Sequence, residues 1–228
     1  ADNVREALGD DPPPALLAFK DVTSPTNQRT MIAAFMPPVG VLNSAPLIQF
    51  KDIPPLRQTC LLANLNSLAY EFVARQKVGN VHLNFFIVEQ QPTFAPDTYD
   101  DPCPWDKSVT LEQWISERVL KLTCTADDMK PLAEACGMNP PVHKWKASER
   151  HELLAELDAA FFILYGLDRD GVVDVLANFQ TLRVSDYAKQ TFADGDAAKL
   201  SDEGRHILGV YEQLITALTA TSKASSKQ

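Results

Sequence analysis

Short β-prone runs separated by turn sequences characterise the beginning of the chain. Leu16 to Val22 and Thr30 to Met36 each favour an extended conformation, and Ser24-Pro25-Thr26-Asn27 between them has the residue types of a tight turn. Val39 to Phe50 holds one or two further short extended pieces, interrupted by turn-forming residues. We therefore predict a small set of short strands in this part of the chain.

A helix and a further strand are predicted next. Leu56 to Arg75 carries apolar residues at three- and four-residue spacing, which predicts one amphipathic helix. Gly79 follows it, and Val81 to Val88 then alternates between apolar and polar residues. This alternation predicts a strand that places four residues on one face, namely Val81, Leu83, Phe85 and Ile87.

Helical spacing dominates from Thr110 onward. Thr110 and Gln113 have the spacing of a capping box, and an apolar stripe follows from Trp114. Later helices are predicted to end at Gly137, to run from Ser148 to Gly166, and to cover 168–179 and 201–218.

This change of pattern predicts an α+β fold in which a small mixed α/β domain precedes a mainly helical region. Residues 1–15 are predicted to be a linker because Pro12, Pro13 and Pro14 exclude a helix interior. We assign 16–96 to the α+β domain, 97–220 to the helical domain and 221–228 to a disordered tail.

Charge is distributed unevenly between these two regions. The chain has 228 residues and a net charge of −9. Residues 20–90 contain six basic and four acidic side chains, whereas residues from 97 onward contain 14 basic and 22 acidic side chains. Because DNA affinity depends on local phosphate contacts, a locally basic window is compatible with DNA binding despite the overall charge.

Several common kinds of site are missing from the sequence. The nine glycines never form GxG, so no glycine loop for a nucleotide or S-adenosylmethionine is predicted. No apolar run approaches the roughly 20 residues that a membrane-spanning helix needs. Four cysteines without a CxxC pair are typical of reduced thiols in a cytoplasmic protein.

Two short motifs partly resemble known functional sites. Asn139-Pro140-Pro141 has the first residues of an amino-methyltransferase motif, but Val142 replaces the aromatic residue, so we interpret it as a loop. Cys136, His143 and His151 match no zinc-ligand spacing. We therefore predict no catalytic residue and no metal site.

Four segments, taken in order, carry a specific resemblance. Leu17 to Ala34, with its Lys20-Asp21-Val22-Thr23 and Thr26-Asn27-Gln28-Arg29-Thr30, resembles the pattern F-R-D-I-T…T-N-E-R-T-x-I-A-A. Leu61 to Pro92 resembles L-L-A-x-L-N-S…R-x-K-x-G-G-x-x-L-N-x-F…Q-x-P. Trp114 to Thr123 and Ala155 to Leu167 resemble later segments of the same proteins. These are the large single-chain restriction-modification adenine methyltransferases, in the region C-terminal to their catalytic domain.

The resemblance covers most of residues 16–180, with two departures from the family pattern. Lys20 stands where Arg is usual, and Asn80 stands where a second Gly is usual. It implies a non-catalytic DNA target-recognition part of an adenine-N6 methyltransferase. S-adenosylmethionine would then bind to an upstream domain, not to this segment. The expected partners are double-stranded DNA and that upstream methyltransferase domain, without a membrane.

Candidate DNA contacts follow from this interpretation. Arginine suits guanine edges, asparagine suits adenine, and lysine and threonine suit phosphates. The candidates are Lys20, Thr26, Asn27, Arg29, Thr30, Asn43, Arg75, Lys77 and Asn84. Structural alternatives are that Asn27 closes a turn, that Arg29 pairs with Asp21, and that Arg75 and Lys77 offset a helix dipole.

Two other functions remain open. The acidic helical half is compatible with a protein-interaction module that docks the catalytic domain or another defence component. A free-standing enzyme would need catalytic motifs that the sequence does not contain.

Overall fold

A three-stranded antiparallel sheet forms the first part of the fold. The computed structural model describes residues 9, 12–79 and 81–225. Strand β1 (Leu16–Phe19) lies between β2 (Ala33–Met36) and β3 (Leu47–Ile48). Leu17 is opposite Phe35 on one side and Ile48 on the other. The predicted strands are confirmed here, although each is shorter than predicted.

The helix predicted from Leu56 to Arg75 is two helices. Helix α1 (Pro55–Asn66) and helix α2 (Leu68–Lys77) are separated at Ser67, which has extended backbone angles. Its hydroxyl accepts the Tyr70 N–H and therefore caps α2. The apolar stripe continues through the break, which is why the spacing alone predicted a single helix.

The prediction of a strand from Val81 to Val88 is wrong for the second half of that segment. Only the beginning is extended, where His82 bridges to Val22. Helix α3 (Phe85–Val88) replaces the rest, with Asn84 at its N-cap position. Short alternating runs do not separate a strand from a brief helical turn, because both place apolar residues at intervals.

The second half contains a two-stranded ribbon and five helices within the described residues. The ribbon, absent from the prediction, pairs β4 (Pro102–Cys103) with β5 (Asp106–Thr110). The helices are α4 (Leu111–Thr123), α5 (Lys130–Ala135), α6 (Ala147–Leu164), α7 (Arg169–Ala177) and α8 (Asp202–Ser225).

Helix ends follow the predicted capping chemistry. Thr110 and Gln113 form both hydrogen bonds of a capping box at the start of α4. Asp168 accepts the Gly171 N–H at the start of α7, and Gly166, at φ 74°, ends the helix before it. Residues 221–225, which the sequence predicts to be disordered, continue α8.

Helix α6 connects two hydrophobic clusters. Its Phe161 packs in a cluster with the inner face of the sheet, α1 and α4. Its Phe162 packs in a second cluster with α2, α7 and α8. Both phenylalanines are fully buried, so the packing is continuous from the sheet to the last helix.

The predicted α+β class is confirmed, with helix the commoner element. In the described part of the chain, no helix is long and apolar enough to cross a bilayer.

Candidate nucleic-acid interface

Three segments of the chain meet at Asp21, just beyond the end of β1. The Asp21 N–H donates to the Ser44 carbonyl at 3.0 Å, and its carbonyl accepts the Leu83 N–H at 2.7 Å. Its carboxylate lies 2.8 Å from Nδ1 of His82. Asp21 therefore fixes the loops around residues 44 and 83 relative to the sheet.

A buried carboxylate holds the turn that carries four of the nine candidate residues. Glu71 on α2 is fully buried, and its two oxygens accept the N–H groups of Thr30 and Met31 at 2.7 and 2.8 Å. Arg75 pairs with Glu71 at 2.8 Å and also donates to the carbonyls of Asn27 and Gln28. We refer to Glu71, Arg75 and the backbone of residues 27–31 as the loop clamp.

Arg29 points inward from the same loop. Its guanidinium donates to the Asn66 carbonyl at 3.0 Å and lies 3.5 Å from the Asp158 carboxylate. The pairing with Asp21 considered from the sequence is not formed, because Asp21 pairs with His82. Arg29 thus joins the turn to helices α1 and α6.

Arg29 also lines a cavity of about 530 Å³ between the turn, α6 and α8. Asp158 lies in its wall and accepts the Leu68 N–H at 2.7 Å. Burial raises the pKa of Asp158, and the neighbouring Arg29 charge partly opposes that increase. The pair is therefore a partly buried ion pair, with a buried carboxylate and a partly exposed guanidinium, at the junction of the two halves.

The other candidates divide into buried and exposed residues. Thr30 is fully buried, which removes its side chain from any DNA-facing surface, and Arg75 is held in the loop clamp. Asn27 donates its N–H to the Ser24 carbonyl and closes the turn, as the structural alternative expected, while its side chain remains exposed. The exposed candidates are Lys20, Thr26, Asn27, Asn43, Lys77 and Asn84.

These six exposed side chains lie on or beside the segments that the Asp21 junction and the loop clamp hold together. Lys20, Asn43 and Asn84 each stand next to a residue that is hydrogen-bonded at the Asp21 junction. Thr26 and Asn27 lie on the turn of the loop clamp, and Lys77 follows Arg75 on α2. We refer to these six residues as the polar end surface.

Positive charge on this surface comes from lysine. Lys20 and Lys77 of this surface are exposed, as is Lys51 outside it, and none of the three forms an ion pair with another described residue. Arg29, Arg57 and Arg75 instead pair with carboxylates. Arg29, the arginine expected to read a base edge, therefore has structural partners, whereas the three lysines do not pair with carboxylates of the described residues.

The sequence did not predict that several large apolar side chains in the same region of the chain would be exposed. Within the described residues, seven of the nine large hydrophobic residues that stand exposed lie between positions 22 and 86. They are Val22, Ile32, Val39, Leu42, Val81, Phe85 and Phe86, and we refer to them as the apolar patch. The sequence predicts a strand for Phe85 and Phe86, and that prediction does not indicate that both side chains are exposed.

Sequence reasoning also missed the two carboxylates that hold the candidate loop. Glu71 falls among apolar residues of a helical stripe, and Asp158 does the same on α6. A charged residue on the buried face of a predicted helix indicates an internal partner. That partner cannot be identified from spacing, because Asp158 and Arg29 are 129 positions apart.

The motifs interpreted as non-functional lie elsewhere. Asn139 and Pro140 are exposed and lie in a loop between α5 and α6, as predicted. Cys136 and His143 line one cavity, whereas His151 contacts Glu203 on α8. Burial raises the pKa of the Cys60 thiol to about 12 and that of Cys124 to about 11, so neither is a ready nucleophile.

No family model, curated protein or solved structure matches the chain.

Proposed function

We propose that this chain is the DNA target-recognition part of a site-specific adenine methyltransferase of the restriction-modification type. The shared exposure of the six residues of the polar end surface is the main structural support for the proposal. These residues offer amide, hydroxyl and ammonium groups, which are the groups that contact phosphates and base edges. The ordered resemblance over residues 16–180 supplies the enzyme class.

The clamped loop suits this role because recognition requires fixed side chains. Backbone groups of Thr30 and Met31 are held by Glu71, and Asp21 holds the loops on either side. The exposed side chains therefore project from a backbone that is ordered before DNA arrives. Such preorganisation reduces the entropy lost on binding.

DNA binding by the tag-free chain tests the proposal directly. Fluorescence anisotropy with random-sequence duplex DNA, measured over a series of salt concentrations, gives the slope of log K against log salt. Lys20→Ala and Lys77→Ala should each reduce the slope by about one, because each removes one phosphate contact. Lys144→Ala, an exposed lysine in the loop before α6, is the matched control and should leave the slope unchanged.

Sequence reading is tested by selection of bound duplexes from a random library. Asn84→Ala or Asn43→Ala should relax the preference at one position, with a loss of about 1–3 kcal/mol against the preferred base. Failure of the chain to bind duplex DNA at low salt would contradict the proposal. So would lysine variants that keep the wild-type salt slope.

Docking of a protein partner is a second candidate function, and the apolar patch favours it. Large apolar residues that stand exposed on a folded protein mark interaction sites when they are grouped. The expected partner is the methyltransferase domain inferred upstream. Phe86→Ser should weaken copurification of that domain with this chain, whereas Trp145→Ser, equally exposed outside the patch, should leave copurification unchanged.

A further inference from the structure

Two histidines from different helices come together at the beginnings of α6 and α8. The rings of His151 and His206 are nearly parallel, with centroids 4.6 Å apart and an interplanar angle of 18°. Glu152 lies beside them on α6, with Oε2 3.3 Å from Nε2 of His206 and Oε1 3.9 Å from Nδ1 of His151. Both rings therefore turn a nitrogen toward the same carboxylate.

The spacing of these groups is close to that of a metal site. One ligand atom from each of His151, Glu152 and His206 lies within 4.8 Å of the other two. Around tetrahedral zinc, with bonds of about 2.0–2.1 Å, ligand atoms lie about 3.4 Å apart. Glu152 is exposed and on the surface of its helix, so a change of its rotamer, together with a tilt of the two stacked rings that brings both lone pairs to the ion, can supply the remaining contraction.

The second nitrogen of His151 has the partner that a metal-bound histidine normally has. Its Nε2 lies 2.6 Å from Oε2 of Glu203 on α8. A hydrogen bond from Nε2–H to this carboxylate leaves the Nδ1 lone pair free and directed to the Glu152 side. Carboxylates that orient ligating histidines in this way are a regular feature of metal sites.

His206 provides an independent observation. Its Nε2 is buried, and in the described part of the chain it has no hydrogen-bond partner. Buried polar atoms are normally hydrogen-bonded, whereas this nitrogen has only an ion-pair contact, with the Glu152 carboxylate 3.3 Å away. A bound cation between Nε2 and that carboxylate would satisfy both.

We propose that His151, Glu152 and His206 bind one Zn²⁺ ion, with Glu203 positioning His151. Two imidazoles and one carboxylate form a ligand set that zinc commonly takes, and the fourth position is left to water. The ion would join the first turns of α6 and α8. This site does not depend on the proposed DNA-binding function, and it is contrary to the sequence-based expectation of no metal.

Isothermal titration of Zn²⁺ into tag-free, chelator-treated protein tests the site. The wild-type chain should bind one zinc per chain with micromolar or tighter affinity. His206→Ala and Glu152→Gln should each weaken binding at least tenfold, and Glu203→Gln should weaken it about 10–100-fold, as expected for a residue that orients a ligand. His143→Ala, a histidine outside this cluster, is the matched control and should bind zinc like the wild type.

Circular dichroism of each variant separates loss of the site from loss of the fold. Glu152 is exposed, so Glu152→Gln should remain folded even if a histidine variant does not. Absence of saturable zinc binding by the wild type would overturn the proposal. Unchanged zinc affinity in a folded Glu152→Gln or His206→Ala variant would overturn it as well.

Discussion

Charged side chains serve different purposes in the two halves of the molecule. In the sheet-containing half, Glu71 is fully buried and the guanidinium groups of Arg29 and Arg75 fold back onto the protein. In the helical half, many ion pairs lie on the surface within single helices, as Glu117 with Lys121 does on α4. The first kind of pair fixes loops, whereas the second adds only a little to helix stability.

Large apolar side chains show the opposite distribution. The helical half buries Phe161, Phe162 and Leu176 completely. The sheet-containing half exposes the seven residues of the apolar patch, including Phe85 and Phe86. Large exposed apolar side chains are therefore concentrated in the sheet-containing half, whereas buried charges occur in both halves, since Asp158 and Lys199 of the helical half are buried as well.

The largest difference between the halves should appear on removal of Glu71. Glu71→Ala leaves the Thr30 and Met31 N–H groups and the Arg75 guanidinium without their acceptor. We expect a loss of about 3–5 kcal/mol in the free energy of unfolding, measured by urea denaturation, as for other broken buried ion pairs. Glu117→Ala, which breaks a surface pair, should cost about 0.3–0.5 kcal/mol.

A similar loss of stability for both glutamate variants would mean that the loop clamp contributes no more than an ordinary surface pair. A large loss confined to Glu71→Ala would support the stabilising role of the loop clamp.

Arg29→Met should have the next largest effect, because it leaves the Asp158 carboxylate buried without its cation. We expect a loss of about 1–3 kcal/mol at neutral pH. The folded-state pKa of Asp158 is already raised by burial, and removal of Arg29 raises it further. A raised carboxyl pKa favours folding below its unfolded value and opposes folding as pH rises through the folded value.

The destabilisation by Arg29→Met should therefore be smaller near pH 4 than at pH 7. Urea denaturation at both pH values measures the difference. In an Asp158→Asn background, the pH dependence of the Arg29→Met effect should disappear. If it persists there, this ion pair is not its cause.

Capping and core positions could be predicted from the sequence because they depend on neighbours along the chain. The Thr110 capping box requires only Gln113 three positions later, and the buried Phe161 belongs to a helical stripe. The break at Ser67 could not be predicted, since the apolar spacing continues through it.

The exposure of the candidate residues could be predicted only in part, for the same physical reason. The exposure of Lys20 and Asn84 agrees with local pattern, but the inward direction of Arg29 depends on Asp158, which is distant in sequence. The His151 and His206 pair also depends on how α6 and α8 pack. Contacts between residues that are distant in sequence are determined by tertiary packing, and they leave no periodic pattern in the sequence.

The smallest effect on stability should come from Phe86, although it is a large aromatic residue. Phe86 is 58% exposed, whereas Phe85 contacts the Phe19 ring. Phe86→Ser should therefore change the free energy of unfolding by no more than about 0.5 kcal/mol, as surface substitutions do. Phe162→Ser, at a fully buried position of the helical half, should cost more than about 3 kcal/mol. Urea denaturation of both variants compares the two halves with the same chemical change. A large loss for Phe86→Ser would mean that the apolar patch is part of the folded core, and it would remove the main support for a docking surface there.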